Sequence, residues 1–207
     1  SVLDTLRGTT DVTTAFGGGF VQAMHGRAAQ RSPQRDWFYF VNGLSPNVGA
    51  GDTTVRSGDR IWWDYRPWGD GPTAPAVVGM WPEPFINGYP RRPDGVQADP
   101  PLDDVLRSAG APVRSAPSAW RVRVGSQADL IRRDPVWRAA SADPVRAGLT
   151  VRWRGESIER LDGSDGERFV PVPGAGAIVA MVLTGESAEQ GGALFVVSGV
   201  DADAAAA

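Results

Sequence analysis

Apolar and polar residues alternate most clearly in two stretches of the first third of the chain. From Asp36 to Val41, Trp37, Tyr39 and Val41 fall on one side and Phe38 and Phe40 on the other, which predicts a strand covered on both faces. From Arg60 to Arg66, Ile61, Trp63 and Tyr65 share a face opposite Trp62 and Asp64, which predicts a strand with one wet face. Asn42-Gly43 is a turn signal closing the first strand, and Arg56-Ser57-Gly58-Asp59 is a turn leading into the second, with a glycine-rich excursion over 47–54 between them. Upstream, Ser1 followed by Val2, Leu3 and Leu6 reads as an N-capped amphipathic helix ending near Gly8. The β-branched stretch 11–14 leads to Gly17-Gly18-Gly19 and a strand over 20–24, and the polar stretch 25–35 reads as an exposed loop or hairpin tip.

The pattern changes over 67–101, which is rich in proline, with a short strand expected over 76–81. Beyond it the periodicity predicts a helix around Leu102 to Leu106, a strand over 120–124, a helix over 128–140 interrupted at Pro135, and strands over 149–153, 157–161, 177–183 and 193–198. The final DADAAAA reads as a helix start or a frayed tail. The expected fold class is α+β, divided into a first domain over 1–70, a proline- and aromatic-rich connector over 71–100 with its packing boundary near residue 90, and a small α/β domain over 101–207.

Composition removes several chemistries. All 21 basic residues are arginine, the mark of a high-GC genome, so no lysine Schiff base or lysine isopeptide crosslink can form. A net charge of -3 gives no electrostatic footprint for nucleic acid. The absence of cysteine excludes disulfides and thiolate metal sites, and no apolar run is long enough for a transmembrane span. The chain begins at Ser1 inside a helical pattern, which leads us to expect that an upstream segment, such as an export signal, has been removed.

Five of the eight tryptophans lie between Trp37 and Trp81. With Tyr39, Tyr65 and Phe85 they offer either a platform for a tetrapyrrole or sugar ring or the ordinary filling of a core, with Trp62 and Trp68 the positions expected to be exposed. His25 is the only histidine, which rules out multi-histidine metal sites; it is a single axial ligand or a solvated loop residue. Asp59, Asp64 and Glu83 are the acids that a glycosidase pair would need, although a turn, a wet strand face and a surface loop account for them equally. Asp162, Asp165 and Glu167 in LDGSDGE lack calcium-loop spacing and suit a hairpin turn.

The ordered segments VLDTLRG, GGGFVQAMHG, RDWFYFVNG and VGAGDTTVRSGDRIWWDYRPW resemble the domain of unknown function 4430 (DUF4430), the transcobalamin-like C-terminal domain of bacterial surface and secreted proteins, here of actinobacterial type. The matching positions are Gly19-Phe20, Gly26, Arg35 to Tyr39, Gly49, Gly58-Asp59 and Trp68. The resemblance implies a β-grasp-like fold, no enzymatic activity, a secreted or cell-surface location, and cobalamin as a possible cofactor-like ligand. It also implies two departures: the chain lacks the β-hairpin that usually precedes the helix, and nothing in it resembles the helical barrel that completes the cobalamin site of the vitamin carriers.

The function expected is that of a non-catalytic extracytoplasmic binding or interaction protein for a small-molecule or protein partner. The ligand-binding residues expected are Phe20, Gln22, Trp37, Tyr39, Trp62, Trp68 and Trp81. The alternative is a structural surface protein that self-associates by strand addition at an open β-edge. A hydrolase is the third reading.

Overall fold

Ser1 sets the start of the first helix. Its hydroxyl accepts from the Asp4 N–H while the Asp4 carboxylate takes the N-terminal amine and the Ser1 hydroxyl, a capping box. Helix α1 then runs Val2–Arg7. Its two other leading N–H groups are satisfied from a distant loop: Val2 N–H donates to the Thr53 carbonyl and Leu3 N–H to the Ala50 carbonyl, each at 3.0 Å. The glycine-rich excursion therefore works as a remote cap for the helix. Its passage requires Gly49, where a Cβ would stand 2.8 Å from the Gly19 carbonyl oxygen.

The structure is a computed structural model that describes residues 1–68, 75–116, 119–162, 168–184 and 192–199. The final DADAAAA, Asp165 and Glu167 lie outside the described residues. Helices and strands are mixed, with strands segregated into several small sheets, so the chain is α+β. It divides into two compact units, one built from the described residues up to Pro90 and the other from those beyond it. Residues 75–90 belong to the first unit.

In the first unit, β1 (Val12–Ala15), β2 (Phe20–Met24) and β3 (Arg27–Ala28) form one antiparallel sheet, and β4 (Gln30–Arg31), β5 (Gln34–Val41) and β6 (Ile61–Pro67) form another. Of the two alternatives for 25–35, the structure has the hairpin one: two tight hairpins, the first turning through His25 and Gly26, both at positive φ. β5 and β6 pair from Arg35↔Pro67 to Val41↔Ile61, which puts Trp37, Tyr39, Val41, Ile61, Trp63 and Tyr65 on one face. Val2, Leu3 and Leu6 of α1 join Val21, Met24, Val41 and Ala50 in the core, with Trp37, Tyr39, Ile61 and Trp63 packed against it. The expected strand over 76–81 does not form: Ala76 makes one isolated bridge to Leu44 and the remainder is turn.

The second unit has a four-stranded sheet of order β12-β13-β8-β7, formed by β7 (Val96–Ala98), β8 (Trp120–Ser126), β12 (Ala177–Leu183) and β13 (Ala193–Gly199). β7, β8 and β13 are parallel, and β12 is antiparallel to β13. Helix α2 (Leu102–Ser108) follows β7. α3 (Gln127–Arg133) and α4 (Pro135–Ala142) share a core with Ile178, Val182, Leu194 and Val196 of the sheet. Pro135 begins α4 rather than interrupting one helix, because it sits at the first turn after Asp134, whose carboxylate caps the Val136 and Trp137 N–H groups. β9 (Val151–Arg154), β10 (Ser157–Leu161) and β11 (Phe169–Pro171) form a small antiparallel sheet. Asp162 pairs with Arg168 between the antiparallel strands β10 and β11.

Candidate functional site

The aromatic residues of the first unit divide by strand alternation. On the core face, Trp37 meets Tyr65 with ring centres 5.0 Å apart, and Tyr39 meets Trp63 at 5.2 Å. Three of these four rings have bonded polar tips: Trp37 Nε1 donates to the Arg27 carbonyl, Tyr65 to the Ala28 carbonyl, and the Tyr39 hydroxyl bonds the Val48 carbonyl and Thr53. Burial raises the Tyr39 hydroxyl above its ordinary pKa. Trp37 and Tyr39 therefore pack against the core, half-buried at its margin, and Tyr39 anchors the 47–54 loop.

The opposite face carries Asp36, Phe38 and Phe40 on β5 and Trp62, Asp64 and Arg66 on β6. The Arg66 guanidinium lies over Phe38 at 4.7 Å and Phe40 at 5.0 Å, with Asp64 3.9 Å from its Nε. Burial lowers the Arg66 pKa and raises that of Asp36, whose carboxylate accepts only from the adjacent Trp37 N–H among the bonds seen. The ladder extends to Trp68, whose N–H donates to the Gln34 carbonyl.

Asn42 holds the turn end of this sheet. It sits at φ 49° and is fully buried; its amide donates to Asp59 and to the Gly88 carbonyl and accepts from the Arg60 N–H, each at 2.8 Å. Asp59 also accepts from the Arg56 N–H, closing the turn before β6. Arg60 in turn donates to the carbonyls of Met80 (3.3 Å) and Trp81 (3.1 Å), and Glu83 binds both the backbone and the side-chain amide of Asn87. The 80–88 loop is thereby fixed to the start of β6. The loop's Trp81, with Phe85 at 6.3 Å, is thus tied through its backbone carbonyl to Arg60, the residue just before β6.

The expected ligand-binding residues are thus distributed unequally. Trp62, Trp68 and Trp81 are 41%, 46% and 50% exposed, whereas Trp37 and Tyr39 line the core side. Phe20 and Gln22 are exposed on β2, where Phe20 meets the exposed Phe16 edge-on. His25 is exposed, with Nδ1 3.4 Å from the Thr10 hydroxyl. Of the three acids weighed for hydrolysis, Asp59 and Glu83 are engaged in turn and loop bonds and Asp64 lies beside Arg66. Sequence reasoning missed Asn42 and Arg60 as organisers of this corner. The only available signal was an Asn-Gly pair that also reads as a bare turn.

No curated protein and no solved structure matches the chain. Residues 1–66 match the model of the family described as Domain of unknown function (DUF4430), covering α1 through β6 and every aromatic residue of the paired strands. The chain carries a DUF4430 domain over residues 1–66.

Proposed function

We propose that the first unit is a β-grasp-like binding module of a non-catalytic, extracytoplasmic protein, and that its ligand or partner meets the corner formed by Trp62 and Trp81. The observation carrying this reading is that two large rings stay about half exposed on a segment tied down by Arg60, Asn42 and Glu83. Rigid, exposed tryptophans offer contact area with little side-chain entropy left to lose, which suits a flat or ring-shaped ligand such as a cobalamin, another tetrapyrrole or a sugar, or an aromatic-seeking protein segment. The β-grasp reading is supported by one helix packed on one face of an antiparallel strand pair.

Acrylamide quenching tests the corner. A ligand seated there shields Trp62 and Trp81, so the accessible fluorescence fraction falls on saturation and does not fall in a Trp62→Ala/Trp81→Ala variant. Equal shielding in the variant would place the ligand elsewhere.

A second reading is favoured by one observation: among the described residues β6 has a strand neighbour only on its β5 side. Strand addition there would make the protein a structural surface component that assembles with its neighbours. It predicts concentration-dependent protection of the β6 amides from hydrogen exchange; protection independent of concentration would argue against it.

A further inference from the structure

The four-stranded sheet of the second unit ends differently at its two edges. At the β7 edge, Val96 N–H donates to the Pro112 carbonyl and the Arg114 N–H donates to the Val96 carbonyl, so 112–114 covers that side. At the β12 edge, no strand lies beyond Ala177–Leu183 among the described residues. β12 reads AIVAMVL, seven apolar residues with no charge, proline or glycine, paired to β13 without a bulge from Ala177↔Gly199 to Leu183↔Ala193. Edge strands are normally protected by charge, proline, a bulge or a covering segment, because an unblunted edge templates pairing with another chain. β12 has none of the first three.

Its two faces differ in role. Ile178, Ala180 and Val182 point into the core beside α4, whereas Val179 is 63% exposed and Leu183 38%. The partners of Val179 and Met181 across the ladder are Val197 and Phe195, so the apolar strip continues onto β13.

We propose that β12 pairs antiparallel with β12 of a second copy of this chain, about a two-fold axis at Ala180, joining two four-stranded sheets into one. The sequence is self-complementary in this register: Ala180 meets its own copy, Ile178 meets Val182, Val179 meets Met181 and Ala177 meets Leu183. Core-facing residues then lie beside core-facing ones and exposed residues beside exposed ones, with no charge anywhere along the strand. A two-fold contact of this kind uses both edges at once and closes. The species expected is a dimer and nothing larger.

Sedimentation velocity on the whole chain tests this, together with hydrogen exchange over 177–183. The wild type is expected to dimerise below roughly 100 μM, with amide protection over 177–183 rising with concentration. Val179→Lys, at an exposed position, is expected to give a monomer with unchanged circular dichroism and, at concentrations low enough for the wild type to be monomeric, an unchanged unfolding midpoint, while Val179→Thr keeps the dimer. A monomeric wild type, species larger than a dimer, or a dimer that survives Val179→Lys would each overturn the proposal. So would a dimer whose protection maps outside 177–183.

Discussion

Replacing Asn42 with alanine removes the residue that ties the 80–88 loop to the turn before β6. The side chain makes three bonds of 2.8 Å, and without it the part-buried Arg60 N–H and the buried Gly88 carbonyl lose their partners. Asp59 retains its bond from the Arg56 N–H. Each unsatisfied buried group costs about 1–3 kcal/mol. Alanine at φ 49° adds roughly 1 kcal/mol, because asparagine tolerates the left-handed region better than alanine does. The combined loss is about 3–7 kcal/mol, a large part of the ~5–15 kcal/mol that holds a domain together. For a unit of this size the unfolding midpoint should fall by more than about 10 °C. Calorimetry, with hydrogen exchange to assign each transition to its unit, reads the effect. Asn42→Gly separates the terms, since it relieves the backbone strain while losing the same three bonds, and should recover only about 1 kcal/mol. A loss for Asn42→Ala below about 1 kcal/mol, or full recovery by glycine, would refute the reasoning.

Three further outcomes are expected. Asp36→Asn keeps an acceptor for the Trp37 N–H and removes a carboxylate whose pKa burial has raised. Because the folded state holds that proton more tightly than the unfolded one, wild-type stability is lost as pH rises through the raised value; the variant should be the more stable at pH 7, with the difference vanishing below about 3.9, and equal stabilities at neutral pH would count against the burial argument. Asp134→Ala leaves Arg121, 2.9 Å away, and Arg123, 3.7 Å away, without their buried carboxylate and uncaps α4. It should cost about 3–5 kcal/mol, seen as lost exchange protection in the second unit with 1–68 unchanged. Glu159 is held below the usual carboxylate range, chiefly by its hydrogen bond from Arg152 and also by Arg154. The stability it supplies is present above about 4.3 and is lost as pH falls from there through the depressed folded value, so an acid titration of Glu159→Gln should lack that component.

The local elements were legible in the sequence. Ser1 before Val2, Leu3 and Leu6 specifies a helix start, and the alternation of Trp37 to Val41 and Ile61 to Tyr65 specifies two strands, which the structure pairs with each other. The strands β3 and β4 within 25–35, read only as an exposed loop or hairpin tip, were not legible individually because each is two exposed residues long, too short for any period to show. The packing of 75–90 onto the start of β6 was hidden for another reason: it depends on backbone carbonyls of Met80, Trp81 and Gly88, which carry no residue-type signal. The same holds for the parallel pairing of β13 with β8, which joins strands some seventy residues apart. As for the aromatic set, alternation separates Trp62 from Trp63, but the exposure of Trp81 depends on the loop that carries it.

The central claim is that Trp62 and Trp81 form a prebuilt binding corner, and isothermal titration tests it most directly. Cobalamin, haemin and linear oligosaccharides would each be titrated into the wild type and into Trp62→Ala/Trp81→Ala. The account predicts saturable heat for at least one of them and a loss of affinity of about 30-fold in the variant, in line with the ~2 kcal/mol carried by a tryptophan hot spot, with folding unchanged because both rings are exposed. Saturable binding that the double variant leaves intact would contradict it.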